Sequence, residues 1–292
     1  MLSELPPQVE PALLDVATLE VGPYFVSGTS LRIGVGGQEV ALAAPTRGWI
    51  RRLAPPQWRL GVAGGSRDGA VRGAWLALLT GLIAEPTVAW LTAYEQLFTS
   101  ENKLIQARCA TRLGVRTPRT VAARNSADIP DEFGERVVVK PLGTSHYTTE
   151  GGDAFVLWAQ SLARGDERLG YLDGAPFLVQ EELHALRHLR VVTVRDRAWA
   201  CELDATDLPL DWRSSDEAHH AFRATTEPLV EVDAVRLARA LQLGYSSQDW
   251  IDTGDGLAFV DLNPAGQWLF LPEPVRGDVA RAIAGHLTGE EH

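Results

Sequence analysis

Residues 259–268 read FVDLNPAGQW and place an aspartate and an asparagine two positions apart in a run with the composition of a strand. Side chains two apart in an extended strand point to the same face. Asp261 and Asn263 would then present two oxygen ligands side by side, with Phe259 behind them on that face. A strand that simply ends in an Asx-type turn explains the same letters, because Asn-Pro is a common turn opener. The rest of the chain has to decide between these two interpretations.

The composition is that of an ordinary soluble domain. The 292 residues are 45% hydrophobic and 22% charged, which is enough for two or three subdomains with their own cores. The formal charge of −11 argues against a nucleic-acid partner, although a local basic cleft would suit a small anionic ligand. No signal peptide opens the chain and no apolar run is long enough for a bilayer, so we expect no membrane contact. A cytoplasmic protein with reduced Cys109 and Cys201 is therefore predicted.

Lysine is rare in this chain. Of 27 basic side chains only Lys103 and Lys140 are lysine, and the other 25 are arginine. A lysine should persist where a compact ammonium is needed and a planar guanidinium would not fit. Lys140 ends an apolar run and precedes the loop GTSHYTTEGG (143–152), whose backbone N–H groups could surround an anion. An exposed flexible loop is the simpler alternative, and the stretch is not a P-loop, because its lysine precedes the glycines.

Short strands and helices alternate along the chain, and the order of elements predicts an α+β protein with a mostly antiparallel sheet in its last third. A hairpin is expected within residues 24–42 and a polar loop at 204–227. The second predicted helix should begin at a Ser100 cap and end at Gly114. Hydrophobic periodicity predicts helices over residues 72–83, 100–113, 153–164, 231–243 and 274–287. It predicts strands over residues 87–91, 115–123, 135–143, 177–183, 188–196 and 198–205, with a closing hairpin at 246–263.

Four motifs in this order resemble the ATP-grasp ligases: ENK with Lys103, VVVKPLG with Lys140, FLVQEEL, and DLNPAGQW. Together they cover about residues 95 to 275. Both lysines of the chain fall where the family pattern has lysine. Within that family the sequence is most similar to the graspetide (microviridin-type) maturases, which macrocyclise ribosomal peptides. The stretches that carry this closer resemblance are RGWIRR, ENKLIQARCATRLGVRTPRT, LRVVTVRD, DWR and NPAGQW.

The resemblance implies an ATP-grasp fold, in which two α+β subdomains clamp ATP next to a short N-terminal domain. We place the N-terminal domain at residues 1–95, the central subdomain at 96–176 and the C-terminal subdomain at 177–292. One departure from the family pattern concerns the metal strand, where Asp261 stands at a position that is usually glutamate.

The resemblance also implies a site for ATP and Mg²⁺. Lys103 and Lys140 would hold the α- and β-phosphates. The residues expected to close over the γ-phosphate are Gly143, Thr144 and Ser145, and those expected at the adenine and ribose are Gln180, Glu181, Glu182 and Leu183. Asp261 and Asn263 would bind Mg²⁺. Asp249 is the expected third ligand, because the TGDG turn returns its strand beside Asp261, and Asp252 is the competing choice.

The implied chemistry begins when a substrate carboxylate attacks the γ-phosphate, after which an amine or hydroxyl displaces phosphate from the acyl-phosphate. Arg190 and Arg213 are the candidates for stabilising that charge and orienting the acidic group, and either could instead be structural. The expected partner is a precursor peptide with a leader and a core containing Asp or Glu, and a homodimer is left open.

Two other functions fit the same residues. One is an ATP-grasp ligase that joins an amino acid to a small molecule or to a protein terminus. The other is a nucleotide-binding module without ligase activity. Against the second stands the complete set of two lysines, Asp261 and Asn263, which a degenerate site has no reason to keep.

Overall fold

The computed structural model describes residues 2–7, 9, 11, 13, 21–27, 30–35, 38–42, 46–51, 65–143, 146–148, 154–172 and 175–290. The chain divides into two compact units. One comprises Met1–Gln96 together with Gly277–His292, and the other comprises Leu97–Arg276. The finer division of the second unit at residue 176 stays a prediction. Among the described residues, no helix has the length and apolar character needed to cross a membrane.

The strands are β1 Val21–Ser27, β2 Ser30–Val35, β3 Gln38–Leu42, β4 Thr46–Gly48, β5 Val88–Trp90, β6 Thr120–Ala123, β7 Arg136–Pro141, β8 His146–Thr148, β9 Ala154–Val156, β10 Gln160–Ala163, β11 Phe177–Glu181, β12 Arg187–Val194, β13 Arg197–Asp204, β14 Arg223–Thr225, β15 Tyr245–Asp252 and β16 Leu257–Asn263. The helices are α1 Arg67–Ile83, α2 Tyr94–Glu101, α3 Lys103–Arg112, α4 Asp216–Ala221, α5 Pro228–Ala240 and α6 Val275–Thr288.

The first unit contains an antiparallel meander and a parallel strand pair. β1, β2 and β3 form the meander, which confirms the predicted hairpin. β4 and β5 pair in parallel, with α1 between them in the chain. Helix α1 begins after Ser66, whose hydroxyl accepts the backbone N–H of Gly69 at 3.0 Å. His286 of α6 is buried, and its Nε2 lies 3.1 Å from the carbonyl oxygen of Ala89 in β5.

In the second unit a four-stranded antiparallel sheet has the order β10-β7-β11-β6. Val137 and Val139 of β7 join a core with Phe133 and other apolar residues on one face of this sheet. Side chains alternate along a strand, so Val138 and Lys140 point to the other face. Lys140 therefore stands near the end of a central strand, on the face opposite the core.

The second sheet of this unit is five-stranded and antiparallel, with the order β14-β13-β12-β15-β16. This confirms the mostly antiparallel sheet predicted for the last third of the chain. Helices α3 and α5 cover one face, where Leu189, Val191 and Leu237 belong to a shared core. The alternate positions His188 and Arg190 of β12 point to the opposite face.

A β-bulge in β16 decides which side chains face the site. Asp249 is opposite Asp261, and the next residue, Trp250, is opposite Phe259, so Val260 is an extra residue in β16. The prediction that Phe259 shares a face with Asp261 is therefore wrong. Phe259 packs in the core with its ring centroid 5.5 Å from that of Trp250, while Asp261 shares the opposite face with Asp249.

The helix predicted over residues 153–164 is also wrong. Part of this segment forms β9 and β10, and β10 pairs antiparallel with β7, as Ser161 opposite Val138 illustrates. Leu162 is buried in the core of the four-stranded sheet. The pairing with an inner strand outweighs a local pattern that fits a helix equally well. The preceding loop, expected at 143–152, contains the short strand β8.

The Ser100 cap is wrong for a different reason. The chain forms one helix, α2, through Ser100 and then starts α3 at Lys103. Asn102 is the N-cap, because its side-chain oxygen accepts the N–H groups of Leu104 and Ile105. The helix ends as predicted before Gly114, whose φ of 70° suits glycine.

Candidate functional site

The two open sheet faces line one cavity in the second unit. The four-stranded sheet contributes Val138, Lys140 and Gln180, and the five-stranded sheet contributes Asp249, Asp261 and neighbouring side chains. Among the predicted site residues, those that line it are Lys140, Gln180, Glu181, Leu183, Arg213, Asp249 and Asp261.

Lys103 is directed at this cavity by the start of α3. Its Nζ donates to Oδ1 of Asp261 at 2.5 Å. One turn further on, the buried Gln106 donates to the carbonyl oxygen of Leu262 at 2.8 Å and accepts the Leu262 N–H at 3.0 Å. These two bonds fix α3 against β16, so they hold the lysine opposite the aspartate. Gln106 was missed from sequence, and its only signal was a polar side chain inside an otherwise amphipathic helix.

Asp261 is held in its ionised form. Burial raises the pKa of its carboxyl group, but the charges of Lys103 and Lys140, the hydrogen bond from Lys103 and the charge of Arg213 together lower it to about 2. The side chain is therefore a carboxylate at any physiological pH. It carries the charge that an oxygen ligand for a divalent cation needs.

For Lys140 the effect of burial on the pKa outweighs the effect of the neighbouring charges. Burial lowers the pKa of its ammonium to about 8, because the attraction of Asp261 offsets only part of that effect and the charges of Lys103 and Arg213 oppose it. The ammonium accordingly gains and loses its proton close to physiological pH.

Asp249 lies opposite Asp261 and is oriented by Arg190. Nη1 of Arg190 donates to Oδ1 of Asp249 at 2.7 Å, and Nη2 donates to the carbonyl oxygen of Gln267 at 3.1 Å. Nε of the buried Arg190 has no hydrogen-bond partner among the described residues. Arg190 thus stands behind Asp249 and connects it to the NPAGQW segment.

Glycine is required in that segment by a close approach. A Cβ added to Gly266 would lie 2.4 Å from Cβ of Ser247 and 3.1 Å from Nη2 of Arg190. The carbonyl oxygen of Gly266 accepts the hydroxyl of Tyr245 at 2.7 Å. The segment after β16 is therefore fixed against the sheet, next to the residues that present the carboxylates.

The DWR triplet brings Arg213 to the cavity. Asp211 is buried and accepts Nε and Nη2 of Arg213, both at 2.7 Å. Burial lowers the pKa of Arg213, but its hydrogen bond to Asp211 and the charges of Asp249, Asp211 and Asp261 outweigh that effect and raise the pKa. Arg213 therefore lies within the field of both facing carboxylates. Trp212 packs edge-on against Phe222, with ring centroids 4.9 Å apart. The predicted loop 204–227 is thus structured in part, with a 3₁₀ turn, α4 and β14.

Two acidic side chains at the end of β11 and just after it are paired with arginines. Glu181 accepts the backbone N–H of Arg119 at 2.9 Å and its Nε at 2.6 Å. Glu182 lies 3.3 Å from Nε of Arg136. Gln180 is buried and donates to the hydroxyl of Thr120 at 3.1 Å. The side chains of this connection are therefore largely committed to the protein itself.

Comparisons with known proteins agree with this architecture. No protein-family model matches the sequence, and no curated protein matches it. The structure is similar to macrocyclase MdnC from Microcystis aeruginosa MRC bound with precursor peptide MdnA, with a TM-score of 0.77, 22% identity, and coverage of 94% of this chain and 90% of that one. It is also similar to the RiPP-associated ATP-grasp ligase of Chryseobacterium gregarium in complex with ADP and a leader and core peptide, with a TM-score of 0.79, 18% identity and coverage of 94% and 86%. The chain has the ATP-grasp fold.

A more distant match extends the comparison. The D-alanine–D-alanine ligase from Bacillus anthracis, complexed with ATP, has a TM-score of 0.52 and 13% identity, and each chain covers 73% of the other. The ATP-grasp fold is therefore found well beyond the peptide-bound structures, while those structures match a larger part of this chain.

Within the ATP-grasp cavity the structure brings Asp249, and not Asp252, opposite Asp261. Asp252 lies on the other sheet face, where its carboxylate accepts Nε of Arg187 at 3.0 Å. Asn263 is exposed, and its side-chain oxygen accepts the N–H of Ala265 at 2.9 Å. The Asx turn is therefore formed, and the amide oxygen retains a second lone pair for another ligand.

Two further placements complete the predicted set. Gly143 is exposed beyond the end of β7, whereas Thr144 and Ser145 lie outside the described residues. His188, which was not among the predicted site residues, lines the cavity two residues before Arg190. Burial lowers the pKa of His188, and the charges of Asp249 and Asp211 oppose that shift. Alternation with Arg190 along β12 was the sequence signal that could have placed it on this face.

The donor set has the character of a site for Mg²⁺ with phosphate. Across the described residues no group of three or more His, Cys, Asp and Glu side chains is arranged to hold a metal alone. Asp249 and Asp261 instead offer two neighbouring carboxylates on one sheet face, and Asn263 offers an amide oxygen. Mg²⁺ is commonly bound by one or two carboxylates plus substrate phosphates, so these residues fit it.

Proposed function

We propose that the protein is an ATP-dependent ligase that activates Asp or Glu side chains of a ribosomal precursor peptide and joins them to amines or hydroxyls of the same peptide. The products would be macrocyclic esters or amides. The observation that carries the proposal is the cavity itself, where Lys140 and Arg213 lie with the neighbouring carboxylates Asp249 and Asp261. Lys103 donates to Asp261 from helix α3. Support also comes from the similar ATP-grasp structures, which were solved with precursor, leader and core peptides.

Nucleotide binding is assigned to the two lysines and to the connection after β11. Lys103 and Lys140 would hold phosphate oxygens with compact ammonium groups. Because Glu181 is bound to Arg119, the adenine would be read by backbone groups from Gln180 to Leu183 rather than by free carboxylates. Gly143, Thr144 and Ser145 are proposed to close over the terminal phosphate.

Mg²⁺ would be held by Asp249, Asp261 and Asn263, and when bound it neutralises phosphate charge. Lys103 and Asp261 neutralise each other at 2.5 Å. The pair thus holds one charge suited to a phosphate oxygen and one suited to a cation. Arg190 has a positioning role in this proposal, because its bond at 2.7 Å fixes the Asp249 carboxylate.

The reaction needs alignment more than a protein nucleophile. A substrate carboxylate oxygen attacks the terminal phosphorus, the bond from that phosphorus to ADP breaks, and an acyl-phosphate forms. A peptide amine or hydroxyl then attacks the acyl carbon, loses its proton and expels phosphate. Arg213, which donates two hydrogen bonds to Asp211, is proposed to pair with the substrate carboxylate.

The alternative ligase, which joins an amino acid to a small molecule, is the second candidate. Its support is the match to D-alanine–D-alanine ligase, which covers 73% of this chain against 94% for the peptide-bound structures. Incubation of the full-length protein with ATP, Mg²⁺ and each substrate class separates the two. The maturase is expected to act on short peptides rich in Thr, Ser, Asp and Glu that are encoded beside its gene.

The decisive experiment measures peptide mass. The wild type should remove one water mass from the peptide per ring, and Arg213→Ala should lose this activity while ATP affinity stays the same. Arg223→Ala, an exposed arginine on β14, is the matched control and should behave as wild type. If Arg213→Ala weakens ATP binding and peptide modification in parallel, the substrate role of Arg213 is wrong. If the wild type dehydrates no acidic peptide, the maturase function is wrong.

A further inference from the structure

A second groove runs along helix α3 and the segment that connects it to β6. We call it the α3 groove, and the residues that form it are Asn102, Leu104, Ile105, Ala107, Arg108, Thr111, Arg112 and 117–120. Leu104, Ile105 and Ala107 are half-buried, while Arg108 and Arg112 are exposed. The groove therefore combines an apolar floor with a basic rim.

The residues that line this groove include Arg108, Arg112 and Arg119 and no acidic side chain. Residues 102–127 contain six basic side chains and no acidic one, in a chain whose formal charge is −11. Within the described part of the chain neither Arg108 nor Arg112 forms a hydrogen bond or ion pair. They are four residues apart on one helix, where like charges repel each other. A bound anion would relieve that repulsion.

The spacing of the two arginines defines the chemistry of a ligand. Four residues of α-helix rise about 6 Å, and two residues of an extended chain span about 6.6 Å. Carboxylates at alternate positions of an extended peptide therefore match Arg108 and Arg112. Pro118 lines both the groove and the cavity, so the two adjoin each other at this residue.

We infer that the α3 groove binds an acidic stretch of the peptide substrate that has Asp or Glu at alternate positions. This stretch is separate from the acidic residue that reacts in the cavity. The inference rests on the proposed function, since that function requires a peptide that carries acidic side chains. A peptide is favoured over a nucleic acid because the chain as a whole is strongly acidic and the α3 groove has apolar residues beside its arginines. Docking there would hold the substrate chain beside the cavity while a different acidic residue enters it.

The test is a binding assay on the full-length protein without ATP. The probe is a fluorescein-labelled glycine–serine peptide with two aspartates at alternate positions, and binding is followed by anisotropy at low and moderate salt. The double variant Arg108→Glu/Arg112→Glu should bind it at least about tenfold more weakly, because two attractions become repulsions. Affinity of the wild type should fall as salt rises. A peptide with asparagine at both positions should not bind.

The matched control is Arg124→Glu/Arg223→Glu, which changes the net charge equally at exposed arginines outside the groove. It should retain the affinity of the wild type within about twofold, since long-range charge effects are screened by salt. An equal loss in the control variant would overturn the inference. Tighter binding of a single-stranded oligonucleotide that displaces the peptide would overturn it as well.

Failure of the docking site can be distinguished from failure of the proposed function. Peptide dehydration by the wild type, together with unchanged peptide affinity and KM in the Arg108→Glu/Arg112→Glu variant, would reject the α3 groove and leave the ligase function intact. Groove-dependent binding of the probe without dehydration of any acidic peptide would reject the ligase function and support the groove.

Discussion

The two sheets that line the cavity contribute charge in different ways. On the five-stranded sheet each carboxylate has a cation at close range: Arg190 lies 2.7 Å from Asp249, and Lys103 lies 2.5 Å from Asp261. On the four-stranded sheet Lys140 stands at the end of β7, and burial lowers its pKa to about 8. The carboxylates of the five-stranded sheet are thus paired with cations at hydrogen-bond distance. Lys140 of the four-stranded sheet has no such ion pair among the described residues.

This difference suggests different roles for the two sheets: the carboxylates hold a metal ion in place, and Lys140 binds an anionic ligand. A paired carboxylate has a fixed geometry and a fixed charge, which suits a group that must hold a metal in place. Lys140 has no hydrogen bond or ion pair among the described residues, so its burial costs stability. Its protonated form remains available to a ligand that brings its own anion.

Asp261→Ala should reduce ATP-dependent turnover by about three orders of magnitude, because charge stabilisation by a bound metal is worth several kcal/mol. The measurement is the steady-state release of ADP with a competent peptide. Asp255→Ala, in the exposed turn of the same hairpin, is the control and should retain normal turnover. Near-normal activity in Asp261→Ala would contradict the metal assignment.

Lys140→Arg should lower kcat/KM at least about tenfold, or roughly 1.4 kcal/mol of transition-state stabilisation. The charge is kept, but a planar guanidinium replaces a compact ammonium in a closely lined cavity. Arg136→Lys reverses the exchange at an exposed position of the same strand and should leave kcat/KM unchanged. Wild-type kinetics in Lys140→Arg would mean that the scarcity of lysine in this chain carries no functional information.

The same two sheets differ in how well the sequence predicts them. Four strands of the five-stranded sheet, β12, β13, β15 and β16, have seven or eight residues each and a clear apolar pattern, so their existence was predicted correctly. The three-residue β14 was not predicted. The four-stranded sheet depends on β10, whose four residues are ordered by pairing with β7 and not by their own pattern. Local periodicity does not report such a partner.

The candidate site shows a similar limit. Lys103, Lys140 and Asp261 were found because each polar residue interrupts or ends an apolar run or stands out in composition. The bulge at Val260 was not predicted. One extra residue exchanges the two faces of a strand without leaving a distinct sequence signal. Gln106 and His188 act through neighbours that only the fold brings to them.

ATP affinity should depend on pH through the titration of Lys140 on the four-stranded sheet. Lys140 binds phosphate in its protonated form, so affinity should fall by about tenfold between pH 7 and pH 9 as the proton leaves a group with a pKa of about 8. Asp261 has a pKa of about 2 and adds no slope in this range. Calorimetric titration of ATP at several pH values measures the effect.

Lys140→Arg is the control for this pH profile, because a guanidinium stays protonated throughout the range. Its ATP affinity, although lower, should be independent of pH from 7 to 9. The same inflection in that variant would assign the titration to another group.

The smallest expected effect is on the free energy of unfolding. Substitution of Lys140 should raise it, and substitution of Asp261 should lower it. The folded pKa of Lys140, about 8, lies below its ordinary value of 10.5, so folding opposes the charged form. The cost is fully present below pH 8 and disappears as pH rises to 10.5, where the unfolded chain also loses the proton.

Lys140→Met should therefore raise the free energy of unfolding at pH 7 by about 1 kcal/mol, after allowing for solvent screening of a partly exposed group. Asp261→Asn should lower it, because the pKa of Asp261 is depressed and its removal leaves Lys103 without a close anion. Urea unfolding of both variants at pH 7 without nucleotide provides the comparison, and destabilisation by Lys140→Met would show that the lysine is as well compensated as the aspartate.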